Sequence, residues 1–151
     1  AEQLQETMRH LLAHSEPTMN HLKDARAAFE AQMARFAAEK STDADVDNLK
    51  MILKQQTAAK KDTARFVELD GEYHRAIASI SGNPIFATLS HAIFGWLSEF
   101  RSDLVHKRGR EALTLNEHRE ILAAIEARDG DAAAELMADH VNRANKLYQQ
   151  A

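Results

Sequence analysis

Apolar residues recur at alternating intervals of three and four along almost the whole chain, the spacing of an amphipathic helix, and β-branched runs are missing. A first helix is predicted from about Glu2 to His14, with a break near Ser15-Glu16-Pro17. A second runs from about Met19 to Lys40 with Leu22, Ala25, Phe29, Met33 and Phe36 on one face. Ser41-Thr42 supplies an N-cap, with Asp43, Asp45 and Asp47 in the first turn, where the helix dipole favours anions. That helix continues through Val46, Leu49, Ile52 and Leu53 to about Ala59. Asp62 caps the next, whose stripe of Phe66, Leu69, Tyr73, Ile77 and Ile80 ends at Ser81-Gly82-Asn83-Pro84. Glycine there can adopt a left-handed stop and proline can begin the following helix.

From Pro84 a longer helix is predicted through Ile85, Phe86, Leu89, Ile93, Trp96, Leu97 and Phe100 towards His106, and Lys107 to Arg110 reads as a loop. Two last helices, roughly Leu113 to Arg128 and Asp131 to Gln149, form a hairpin about Asp129-Gly130. Their stripes are Leu115, His118, Leu122, Ile125 and Ala133, Leu136, His140, Ala144, Leu147, so two histidines occupy apolar positions. The expected fold is all-α, an antiparallel bundle of about six to seven helices enclosing a cavity.

Composition narrows the function. The 151 residues, 44% hydrophobic and 28% charged, suit one core, and cysteine is absent, so neither a disulfide framework nor a thiolate zinc site is possible. That is compatible with a cytoplasmic location. The formal charge of -4 lacks the one-sided basic footprint of phosphate-backbone binding, so this chain alone is not expected to hold DNA. No run of about 18 apolar residues and no signal segment is found, so no membrane partner is expected. A chain that starts at Ala1 is expected to be a piece of a longer one.

The candidate chemistry lies in four side chains. Asp70 and His74 stand four apart, which puts a carboxylate and an imidazole on one helix face. His118 and His140 each lie eleven positions from Asp129, so they meet at one height when the hairpin closes. A lone histidine on an apolar stripe is commonly a satisfied core residue, and Asp70 with His74 could be an ordinary exposed ion pair. Burying three imidazoles and a carboxylate together without a partner, however, costs several kcal/mol, which a divalent cation offsets. One oxygen and three nitrogens suit zinc, nickel, manganese or iron. His10 and His14 form another four-residue pair but have no identified partner, and His21, His91 and His106 have no partner spacing.

Catalysis is not supported. There is no H-E-x-x-H helix, no repeated Glu-x-x-His, no nucleophile motif and no glycine-rich phosphate loop. Glu117 adjoins His118 but points about 100° away from it, and Glu72, two residues from both Asp70 and His74, points about 200° away, so neither is a natural general base. The alternatives to a binding domain are a metal-dependent hydrolase or lyase and a structural helical dimerisation domain.

The stretch Asp70-Gly-Glu-Tyr-His74-Arg-Ala-Ile, then Ser81-Gly-Asn-Pro84, Asn116-Glu-His118-Arg-Glu-Ile-Leu-Ala-Ala-Ile125, Asp129-Gly-Asp131 and Met137-Ala-Asp-His140, resembles the FCD domain. This is the all-helical effector-binding domain of the FadR subfamily of GntR transcription regulators. The similarity runs from about Leu22 to Leu147. It implies a sensor of a small organic acid, not an enzyme, with a divalent metal, zinc or nickel, held by Asp70, His74, His118 and His140. The family's arginine and glutamate, four residues apart on the first long helix, match Arg26 and Glu30, which makes Arg26 the expected effector anchor, with Arg101 a second candidate. Ile85-Phe86 to Trp96 is similar to sialic-acid-responsive and related sugar-acid regulators. The resemblance further implies a homodimer, and DNA contact only through a missing N-terminal winged helix-turn-helix domain. Residues 1–20 would be a helix and connector from that domain, and residues 21–151 the FCD domain.

Overall fold

Polar caps set where the helices begin. Thr42 and Asp45 form a reciprocal capping box, Asp45 N–H donating to Thr42 Oγ1 (3.2 Å) and Thr42 N–H to Asp45 Oδ2 (2.9 Å). Asp62 and Asp129 accept from the backbone N–H of Arg65 and Ala132 in the same role. Gly82, at φ +78°, provides the left-handed stop before Pro84.

The computed structural model describes residues 2–14, 16–98 and 110–146. Its helices are α1 (Glu2–His14), α2 (Glu16–Lys40), α3 (Asp43–Ala58), α4 (Thr63–Ile80), α5 (Pro84–Ser98), α6 (Arg110–Glu126) and α7 (Gly130–Asn145). Among the described residues there is no strand, as the three-four periodicity predicts. Short turns make α3 and α4, α4 and α5, and α6 and α7 antiparallel neighbours. The long α2 packs along α7 and also touches α4, α5 and α6. No described helix is long and apolar enough to cross a membrane.

Some boundaries differ from the periodicity. Helix α2 starts at Glu16, because Pro17 falls in the first turn, where a missing N–H costs nothing. Arg110, expected in a loop, is the first residue of α6. Phe100, Arg101, His106 and Leu147 lie outside the described residues.

The main core joins Met33 of α2, Leu49 and Ile52 of α3, Leu69 and Ile77 of α4, Ile121 and Ile125 of α6, and Met137 and Val141 of α7. Each such side chain contributes roughly 1.5–3 kcal/mol by leaving water. A smaller cluster of Met19, Leu22, Ile93, Trp96 and Leu97 joins α2 to α5. The buried face of α2 is rotated from the expected stripe: Ala25 is exposed, whereas Arg26 and Glu30 are buried. Apolar spacing cannot find this face, because polar residues occupy its middle. Gly71 lets α5 come close to α4, since a Cβ there would lie 2.8 Å from the Phe94 ring.

Candidate metal centre

Helix periodicity and the hairpin turn place the four candidates as the sequence predicts. Asp70 and His74 share one face of α4, and His118 and His140 face each other across the hairpin, so three helices meet at one point. One ligand atom from each of the four lies within 4.8 Å of the others. His118 Nε2 is 3.2 Å from His140 Nε2 and 3.2 Å from Asp70 Oδ1, and His74 Nε2 is 3.6 Å from Asp70 Oδ1. The three rings are 0–3% exposed and the Asp70 side chain 14%, so Asp70 is the most open member. The exposed-pair alternative for Asp70 and His74 does not describe such a buried ring.

Every imidazole turns its other nitrogen to an oxygen. His74 Nδ1 is 2.9 Å from Glu30 Oε2, His118 Nδ1 is 2.9 Å from Gln56 Oε1, and His140 Nδ1 is 3.0 Å from Glu117 Oε1. These partners are themselves held. Ser90 Oγ donates to Glu30 Oε1 (3.4 Å), Gln56 Nε2 donates to the Phe66 carbonyl (3.4 Å), and Arg143 Nε donates to Glu117 Oε1 (2.6 Å). Tyr73 stacks on His118 with centroids 4.4 Å apart and donates its hydroxyl to the His118 carbonyl at 2.9 Å.

Burial favours the uncharged form of the two hairpin rings, His118 and His140. Burial pushes His118 down to about 4, against the opposing hydrogen bond with Asp70. Burial also lowers His140, with the Glu117 bond opposing it. Glu117 is itself pushed up by burial, but hydrogen bonds from His140 and Arg143 outweigh that and leave it below the usual carboxylate range.

The donor set fits a divalent cation. Oxygen acceptors at all three Nδ1 atoms leave the Nε2 lone pairs for the centre, the arrangement in which metal-bound histidines are usually held. His74 Nε2 is buried with no hydrogen-bond partner. A tetrahedron with bonds of roughly 2.0–2.1 Å has edges of roughly 3.3 Å, and three donor separations of 3.2, 3.2 and 3.6 Å bracket that length.

Sequence reasoning found these four residues and missed their supports. Gln56 continues the α3 stripe of Leu49, Ile52 and Leu53, and that amide in an apolar position was the available signal. Glu117 does point away from His118, and in doing so it reaches His140 on the partner helix. Arg26 is buried, and its Nη1 donates to Asn145 Oδ1 at 3.2 Å. Arg101 lies outside the described residues. His10, His21 and His91 are exposed and away from the cluster.

A family model described as the FCD domain matches residues 21–143. A protein described as HTH-type transcriptional repressor NanR, from Citrobacter rodentium, is 33% identical over 130 residues, covering 85% of this chain and 50% of its own length. One of the same description from Cronobacter sakazakii is 32% identical over 134 residues, with the same coverage of 85% and 50%. The chain thus spans about half the length of these relatives. Among solved structures, E. coli McbR/YncC aligns with a TM-score of 0.77 at 16% identity, covering 85% of this chain and 63% of that one. Streptococcus agalactiae GntR aligns with a TM-score of 0.72 at 24% identity, covering 85% and 58%. Both share the fold.

Proposed function

The chain belongs to the FCD domain family, the effector-binding domain of GntR-family regulators, and from that premise we propose that it senses a small organic acid, a carboxylate or sugar acid, at a divalent metal site. The observation that carries this reading is the convergence of three Nε2 atoms and the Asp70 carboxylate on one buried spot, with every Nδ1 turned to an oxygen. Asp70, His74, His118 and His140 would hold the ion, zinc or nickel. A bound ion of this kind supplies a Lewis-acidic position that takes an effector carboxylate.

Arg26 is the proposed second anchor. It stands one helical turn before Glu30, the residue that accepts from His74, so its guanidinium is buried on the face of α2 that supports the centre. Its planar fork matches a carboxylate. The effector would change DNA affinity only through unequal affinity for two domain arrangements. DNA contact is proposed through an N-terminal winged helix-turn-helix domain, and the regulator as a cytoplasmic homodimer. Residues 1–20 would be the connector. Position 20 falls inside α2, so the last residues of that connector, from Glu16, would share one helix with the start of the FCD domain.

The repressor descriptions of the relatives support this over a hydrolase or lyase. The test is elemental analysis of the purified protein before and after chelation and reloading, followed by thermal shift with carboxylates and sugar acids. Sialic acid comes first in that panel, given the NanR relatives and the resemblance at Ile85 to Trp96. Stoichiometric metal and a metal-dependent shift are expected; an effector at about a hundred times its Kd adds about 2.7 kcal/mol. No metal uptake and no shift would leave a structural helical domain.

A further inference from the structure

His118 alone among the three rings is held by a neutral acceptor. Gln56 is 0% exposed on α3, with its amide oxygen on His118 Nδ1 and its amide nitrogen on the Phe66 carbonyl. The two ends of an amide are told apart by their neighbours. A carbonyl can only accept, so Phe66 takes the NH2 end and His118 is left with the oxygen. That oxygen can only accept in turn, so the His118 proton belongs on Nδ1.

A second pull opposes this choice. Asp70 Oδ1, 3.2 Å from His118 Nε2, would by itself draw the proton to Nε2. With a proton there, Nε2 could not turn a lone pair to a cation. The Phe66 carbonyl also closes the helical turn to the Asp70 N–H, four residues on. One buried amide therefore ties the turn that carries Asp70 to the ring that faces it.

We propose that Gln56 is a positioning residue that fixes the tautomer of His118 and its register with Asp70, and so sets the affinity of the centre for a divalent cation. This rests on reading the four-residue cluster as a metal site. Glutamate could not replace it fully, because its second oxygen would face the Phe66 carbonyl and its charge would be buried with the His118 N–H as its donor. Methionine has a similar length but offers neither the donor nor the acceptor.

The test measures zinc affinity by chelator competition for the wild type, Gln56→Met and Gln56→Glu. It also reads the His118 tautomer by 15N NMR in the metal-free wild type. Gln56→Met is expected to lose between about tenfold and a hundredfold in affinity with helix content kept, the usual effect of removing a ligand's outer hydrogen-bond partner. Gln56→Glu should recover part of that loss, and wild-type His118 should carry its proton on Nδ1. An affinity of Gln56→Met within about twofold of wild type, far short of that range, overturns the proposal, as does a proton on His118 Nε2. If the methionine variant does not fold, the wild-type tautomer decides. A wild type that takes up no zinc overturns this proposal and the metal reading together; tight zinc binding with an Nε2 proton overturns this one alone.

Discussion

Helix α4 and the α6–α7 hairpin each give two side chains to the cluster, by opposite routes. Asp70 and His74 come from one helix face, and His118 and His140 come from across a gap between two helices. The local pair is the looser one, with its ligand atoms 3.6 Å apart against 3.2 Å across the hairpin. A four-residue spacing guarantees a shared face but not a shared point. All three rings are aimed from outside their own helix, His74 by Glu30, His118 by Gln56 and His140 by Glu117, so a support alone does not set the separation. His118 is the common member of both short separations, to His140 and to Asp70.

The largest expected effect follows from that position. Structural zinc sites release roughly 10–16 kcal/mol over four ligands, which puts on the order of 3 kcal/mol, or about a hundredfold in affinity, on each. His118→Ala should lose more than that share and His74→Ala less, both with helix content largely kept. Chelator competition on the two variants, with circular dichroism, checks the ranking. A greater loss in His74→Ala would reverse the comparison between helix and hairpin.

Acid should expose the same asymmetry in chelated protein. Folded His118 sits at about 4, below its ordinary 6.5, so between those values the unfolded chain binds a proton that the folded chain refuses. Stability is therefore flat above about 6.5 and falls as pH drops towards about 4, by on the order of 3 kcal/mol for this ring. His140 is shifted in the same direction and adds to the loss. Urea melts across that window should show the decline, and His118→Asn should flatten it. A wild-type profile that stays level from neutrality down to about pH 4, against the linkage expectation, would contradict the buried neutral hairpin pair.

The contrast also separates what the sequence makes legible from what it hides. Helix number, the caps at Thr42, Asp62 and Asp129, and the four candidate ligands follow from local periodicity and from equal distances about one turn. Their supports do not. Glu30 meets His74 from 44 residues away and Gln56 meets His118 from 62, and no local pattern encodes which helices lie side by side. The buried face of α2 misled for a related reason, since Arg26 and Glu30 occupy positions that an apolar count assigns to solvent.

A smaller effect tests how α4 and the hairpin are tied together. Tyr73 of α4 donates to the His118 carbonyl at 2.9 Å, a buried bond between the two halves of the site. Tyr73→Phe keeps the stack on the ring and leaves that carbonyl its helical partner, so it should cost about 1 kcal/mol or slightly more. Equilibrium denaturation measures it. A loss near zero would mean that stacking alone joins the halves.

The mildest variant probes the turn that brings His118 and His140 to one height. Asp129 caps α7 by accepting from Ala132 N–H at 3.0 Å in an exposed setting, so Asp129→Ala should cost about 1 kcal/mol or less. The turn has other ties: Arg128 Nη2 donates to the Ser41 carbonyl at 2.7 Å, and Arg35 pairs with Asp131 at 2.5 Å. With those kept, the two histidines should stay level, and metal affinity should change far less than the hundredfold share of a ligand. A large loss of affinity together with a small loss of stability would show that the cap itself sets the register of the hairpin pair. The cross-helix geometry would then depend on a single surface carboxylate, not on the buried acceptors that surround the rings.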